Sequence, residues 1–245
     1  MKIWSRLLTA LGFLSRLVPA RAAEPGEMGR TLAVYPLAGA IVGAAAALPL
    51  ALGLGQGRPL VQAAIFTALG VYLTRALHYD GLADVCDGWG SLADGERFWA
   101  ILKDSRIGAF GVMALCLSLT AQVVFAAALC ESRAYGGLVF GAAFGRACGA
   151  ALAYLGRDLG RPGLGREFLA AADRGVLIAA LAWLALLAVL LFPFKAALAA
   201  VLLAGLALWR LLGLARARQG LNGDFLGAAI VLGELCAYAG FAFTS

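Results

Sequence analysis

Residues 107–129 read IGAFGVMALCLSLTAQVVFAAAL, with no charged side chain among them. A helix that is apolar on every side has no face to offer water. These 23 residues exceed the ~20 that cross a bilayer core. In lipid such a stretch must be helical, because a helix satisfies its backbone hydrogen bonds internally. Apolar stretches of similar length flank it at about 31–54 and 60–77 on one side, and at about 135–155, 176–193, 196–214 and 224–243 on the other. Pro36 and Pro49 sit inside the first and predict a bend there. Pro193 and Lys195 predict a tight turn between the fifth and sixth. The whole chain of 245 residues is 62% hydrophobic and 14% charged, where soluble domains carry about 25% charged residues. Its 32 glycines suit helices that approach closely in lipid. The expected fold is all-α: a polytopic integral membrane helical bundle of about seven spans plus an N-terminal amphipathic surface helix, one membrane domain over residues 1–245.

The surface helix is expected in residues 1–22. There Ile3, Trp4, Leu7, Leu8, Leu11, Leu14 and Val18 recur at helical spacing, with Lys2, Arg6 and Arg16 between them. Ala20-Arg21-Ala22 resembles a signal-peptide cleavage site, but Arg16 interrupts the apolar region, which favours the surface helix. Residues 23–30 form a polar linker. The net charge of +6 follows membrane topology, since no basic run is interleaved with aromatics as nucleic-acid binding would require. One side of the membrane collects Lys2, Arg6, Arg16, Arg21, Arg30, Arg75, Arg97, Lys103, Arg106, the arginines of loop 156–175, and Arg210, Arg216 and Arg218. The other has Arg58, Arg133 and Lys195. By the positive-inside rule the N-terminus and every acidic loop but that of Glu131 are cytoplasmic. Cys86, Cys116, Cys130, Cys148 and Cys236 are dispersed without metal-binding spacing and read as small apolar fillers.

The chemistry is concentrated just before residue 107. Residues 78–87, HYDGLADVCD, set Asp80, Asp84 and Asp87 at offsets of four and three, one helix face. Three like charges repel unless a cation stands between them, and oxygen-only donors suit Mg²⁺ shared with phosphate. A solvated acidic loop or a helix cap is the plain alternative. Residues 103–111, KDSRIGAFG, add Lys103 and Arg106 as cations and Asp104 as a carboxylate, with Gly108 and Gly111 at a helix start that favours anions. Carboxylates for a metal, cations and a helix N-terminus describe phosphoryl transfer; the same cations also serve as membrane anchors. Between the two motifs, Phe98, Trp99, Ile101 and Leu102 predict a short helix at the membrane interface. Arg157, Arg161 and Arg166, spaced by glycines and Pro162, grip phosphates or polar amides of a large substrate, or simply follow topology. Asp224 opens the last span as a cap or as a ligand facing the same cleft. Glu234 lies about 15 Å further along by helical rise, near the bilayer midplane, where a carboxylate is costly. Arg146 in the fourth span is its natural partner, in a structural or a catalytic pair. His78, the single histidine, is a general base or orients Asp80.

The pair HYDGLADVCDG and ILKDSRIGAFGV strongly resembles cobalamin synthase, the adenosylcobinamide-GDP ribazoletransferase family. FLSRLVPAR, YPLAGAIVGA and GDFLGAAIVLGEL extend the resemblance along nearly the full chain. The family pattern is close to HLDGLADxxDG, and Tyr79 here stands where Leu is usual. The resemblance implies a membrane transferase of the bacterial cytoplasmic membrane, with its active site on the cytoplasmic face. A ribose hydroxyl of α-ribazole, or of its 5′-phosphate, attacks the phosphorus next to the cobinamide arm of adenosylcobinamide-GDP. GMP leaves, and adenosylcobalamin or its phosphate forms. Mg²⁺ on Asp80, Asp84 and Asp87 would bridge the diphosphate, Lys103 and Arg106 would neutralise the leaving GMP, and Asp104 or a motif aspartate would take the proton. Homo-oligomers and other corrinoid-pathway enzymes are conceivable partners. Two other classes compete. A transporter or channel would use Glu234 and Arg146 at membrane depth. A CDP-alcohol phosphotransferase-like enzyme or a prenyltransferase would also use an Asp-rich Mg²⁺ motif.

Overall fold

The structure is a computed structural model that describes residues 3–21 and 26–244. Lys2, Ala22 and residues 23–25 of the linker lie outside the described residues. Among the described residues, six helical stretches are long and apolar enough to span a bilayer. The first, Glu27–Ala51, is a composite. It joins α2 (Glu27–Arg30), a 3₁₀ turn at Thr31–Val34 and α3 (Tyr35–Ala51). The others are α7 (Ala109–Glu131), α8 (Tyr135–Leu155), α10 (Arg174–Leu191), α11 (Phe194–Ala217) and α12 (Gly223–Ala242). A seventh crossing is made only by counting α4 (Pro59–Thr74) with α5 (Leu77–Gly90), which are bent by 90°. Pro36 starts α3 instead of bending it, because a proline in the first turn removes no helical hydrogen bond. Only Phe192 and Pro193 separate α10 from α11.

The centre is built by α3, α8 and α12, and glycines decide how. A Cβ at Gly145 of α8 would stand 2.5 Å from the Ile230 carbonyl oxygen of α12, and one at Gly39 of α3 would stand 2.5 Å from the Ala142 carbonyl oxygen of α8. Backbones in such contact replace a hydrophobic driving force that lipid does not supply. α12 also packs on α5, α7 and α11.

The corner from α4 to α5 is made by Arg75 and Ala76, both with φ of 56°. Two successive non-glycine residues in the left-handed region are strained and need external support. The end of α1 (Ile3–Leu14) supplies it: Arg75 donates to the Phe13 carbonyl at 2.5 Å, and Arg16 donates through Nε to the Tyr72 carbonyl at 3.0 Å. The N-terminal helix is therefore shorter than expected, and it packs on protein. Leu7, Leu11 and Leu14 are buried in the bundle, while Ile3 and Trp4 remain exposed. The short helix α6 (Gly95–Leu102) forms where expected but also faces inward: Phe98, Trp99 and Leu102 are buried, and both rings pack against Phe225 of α12. The amphipathic pattern is the same for a lipid headgroup surface and for a neighbouring helix, so only packing separates them.

Candidate active site

α5 is helical through all of Asp80, Asp84 and Asp87. It crosses α12 at Gly81, where a Cβ would lie 2.8 Å from the Asp224 carbonyl oxygen. Glycine there brings the acidic motif and Asp224 to one end of the bundle. Asp80 is exposed, Asp84 and Asp224 are half-buried, and Asp87 is buried.

Asp87 differs from its neighbours. The Gly108 N–H donates to its Oδ2 at 2.8 Å and the Gly111 N–H to its Oδ1 at 2.7 Å. Its carboxylate thus serves the first turn of α7, satisfying orphan N–H groups and countering the positive helix end. A Cβ on Gly108 would lie 2.5 Å from a carboxylate oxygen of Asp87, and one on Gly111 closer still. The glycines of KDSRIGAFG admit an internal anion, Asp87, at the place where a phosphate was expected. Asp104 and Arg106 bond to each other: Asp104 accepts from the Arg106 side chain at 3.0 and 2.7 Å and from its backbone N–H at 3.0 Å. Those hydrogen bonds hold the Asp104 carboxyl down at about 2.

Three carboxylates remain open: Asp80, Asp84 and Asp224. Asp84 lies in the electrostatic field of Asp224, Asp80 and Asp87, and Asp224 in that of Asp80. The Asn222 side chain caps α12 by accepting from the Phe225 N–H, and its amide donates to Asp224 at 2.7 Å. Asp224 is therefore free of the capping role. Among the described residues, no three His, Cys, Asp or Glu side chains stand together closely enough to hold a metal. With Asp87 turned onto α7, the expected triad of Asp80, Asp84 and Asp87 is not one open group. Beside Asp80 and Asp224 a cavity of about 210 Å³ opens between α1, α5, α9 (Leu164–Ala171) and α12.

Deeper in the bundle, Arg146 and Glu234 form a buried ion pair, as their positions suggested. Arg146 also donates to the Ala142 carbonyl at 3.2 Å. Tyr79, the departure from the family pattern, donates its hydroxyl to Gln122 of α7. His78 is buried between this cluster and the cavity above, lining both, and makes no hydrogen bond to Asp80 among the described residues. The space at the pair is about 30 Å³, room for one or two waters at most.

The model of the cobalamin-5-phosphate synthase family matches residues 6–242. This chain belongs to that family. It is 45% identical to the adenosylcobinamide-GDP ribazoletransferase of Nitratidesulfovibrio vulgaris Miyazaki F over 237 residues, 97% of this chain and 94% of the relative. Its identity to the enzyme of the same name from Syntrophobacter fumaroxidans is 38%, over 92% of this chain and 93% of the relative. For that of Klebsiella pneumoniae MGH 78578 it is 37%, over 92% and 94%. No solved structure matches. The chain is a multi-pass membrane transferase of cobalamin nucleotide-loop assembly.

The expected substrate cations are unequally available. Arg161 is bound to Glu96 of α6 at 3.0 and 3.1 Å and lies 4.5 Å over the Trp99 ring. Arg157 is exposed, lies over Tyr154 and reaches Asp158 at 4.0 Å. Arg166 and Lys103 are exposed. The sequence reading did not find the ties that fix this end. Arg218 pairs with Asp94, Trp99 donates to the Arg218 carbonyl at 3.1 Å, and a lone β-bridge joins Gly160 to Leu221. Nor did it find the aromatic wall of the cavity, for Phe13, Tyr35 and Phe168 are far apart in sequence and carry no shared motif.

Proposed function

We propose that this protein joins adenosylcobinamide-GDP to α-ribazole, or to its 5′-phosphate, at the cytoplasmic face of a bacterial inner membrane. The observation that carries this reading is the meeting of three carboxylates, Asp80, Asp84 and Asp224, beside a cavity of about 210 Å³ that admits one part of a substrate. The names of the relatives supply the reaction class. A ribose hydroxyl oxygen bonds to the phosphorus next to the cobinamide arm. The bond from that phosphorus to the bridging oxygen of the diphosphate breaks, GMP departs with the oxygen, and the hydroxyl proton passes to a carboxylate. Asp104, with its carboxyl held at about 2, is a poor proton acceptor, which leaves the motif aspartates for that role. Of the expected cations, Lys103, Arg157 and Arg166 are exposed and would receive GMP, whereas Arg106 and Arg161 are paired with Asp104 and Glu96.

The open carboxylates fit Mg²⁺, which takes one or two carboxylates with the rest from water and phosphate. Asp80 and Asp84 would hold it, with Asp224 across from them. When bound, the ion would neutralise charge developing on the diphosphate. Asp87 would position α5 against α7. The transporter reading gains no support, since the space beside Arg146 and Glu234 is about 30 Å³.

The test is GMP release by detergent-purified protein given adenosylcobinamide-GDP, α-ribazole phosphate and Mg²⁺. Release that needs all three, and falls by roughly 10²–10³-fold or more in Asp84→Asn, is the expected result. A well-folded protein that releases no GMP would overturn the assignment, and full activity of Asp84→Asn would remove that carboxylate from the site.

A further inference from the structure

The cavity beside Asp80 and Asp224 is chemically lopsided. Its walls are Phe13, Tyr35, Leu164, Phe168, Leu226 and Ile230, while His78, Asp80 and Asp224 bring its polar groups. The Phe168 ring centre lies 5.6 Å from that of Phe13 and 5.9 Å from that of Tyr35, so three rings form one wall. Among the described residues, no lysine or arginine lines it. Its volume of about 210 Å³ falls short of the ~300–1,000 Å³ that encloses a whole drug-sized ligand. It takes one part of a substrate.

The parts on offer are a corrin ring, a diphosphate, a guanine and a ribazole base. The corrin macrocycle is too large. A diphosphate finds no counter-charge along the apolar walls and belongs at the rim, where Asp80 and Asp84 would hold Mg²⁺. Guanine carries donors and acceptors around its edges that apolar walls leave unmet. The benzimidazole-type base of ribazole is flat, fused and apolar, with one free ring nitrogen once the sugar is attached. It suits stacking on an aromatic wall.

We infer that this cavity is the subsite for the heteroaromatic base of the ribazole, with Leu164 and Phe168 setting its size, an inference that rests on the transferase reading above. The base lies among Phe13, Tyr35 and Phe168, and the ribose is left at the rim beside Asp80 and Asp224, where its hydroxyl is to lose a proton. Specificity for the lower base is then a matter of cavity volume.

Leu164 is 49% exposed at the mouth, so Leu164→Trp narrows the cavity with little risk to folding. Phe168→Leu, at a buried position, widens it. Each substrate is varied with the other saturating, using the full-length protein in detergent. The expected result is a rise of roughly tenfold in KM for α-ribazole in Leu164→Trp, with KM for adenosylcobinamide-GDP changed less than about twofold. In Phe168→Leu the preference for the dimethylated base over unsubstituted benzimidazole riboside shrinks. A rise confined to adenosylcobinamide-GDP would give the cavity to guanine instead. An unchanged KM for α-ribazole in both variants would take the cavity out of the site. Absence of GMP release from the unmodified protein would strike the transferase reading itself, a separate failure.

Discussion

Helices α8 and α10 both suit lipid, yet they occupy opposite places. The more apolar of the two is outside: α10 has a mean hydropathy of 2.4 and is 6% buried over its best window, whereas α8 has 1.5 and is 78% buried. In water the order would be reversed. In a bilayer a leucine gains nothing by leaving lipid for protein, so burial follows close backbone approach and polar pairing. α8 supplies both, through Gly141, Gly145 and Gly149 and through Arg146. α10, with its leucines and no glycine after the first turn, supplies neither.

The strongest way to break this contrast is Gly145→Leu. The side chain would enter the Ile230 backbone, and no monodisperse folded protein is expected on size exclusion in detergent; a normal profile would refute the close-packed interface. Next is Arg146→Ala, which leaves Glu234 buried and unpaired and should cost about 3–5 kcal/mol. The double change Arg146→Met with Glu234→Leu should recover most of the lost thermal stability. A double variant as stable as the native protein but inactive would show that the pair does more than hold helices. Asp87→Ala should lower stability by about 1–2 kcal/mol, the worth of a helix N-terminal acceptor, read as a fall in the melting temperature. Gly205 of α11 has open space where a Cβ would go. Gly205→Ala should therefore stabilise by about 0.5–1 kcal/mol, opposite in sign to any change at Gly145. Smallest is Leu190→Ala on α10, at 67% exposure, expected within about 0.5 kcal/mol. A larger loss there would mean that a partner covers α10.

The spans were legible because an uncharged run has few other fates, and the ends of α7 and α8 fall within about two residues of the apolar limits. The pairing of Arg146 with Glu234 was legible because buried charge demands a counter-charge. The inside and outside of the bundle were not legible, since hydropathy ranks α10 above α8. Asp87 was read as a ligand beside Asp80 and Asp84 because three aspartates at helical spacing look alike. Only the approach of Gly108 and Gly111 sets it apart. The inward turn of α6 and α1 was hidden for a similar reason: Trp99 fits a membrane surface as well as it fits Phe225, and the apolar face of α1 fits one as well as it fits the 3₁₀ turn and α3. The cavity wall was invisible because Phe13, Tyr35 and Phe168 come together only through the fold.

The central position of α12 bears on how the molecule is made. It follows α5, α7, α8 and α11 in the chain and packs on all four. While the ribosome is still translating α10 and α11, α8 must wait in or beside the translocon with Arg146 lacking its counter-charge, at an insertion cost of about 2.5–3.5 kcal/mol. Its glycine stripe waits with it, facing lipid or another chain. Insertion of α12 closes the stripe, neutralises the arginine and brings Asp224 to the motif in one event. Chains interrupted before residue 223 lack the partner of both, so Arg146 stays unpaired and the glycines of α8 that face α12 stay uncovered.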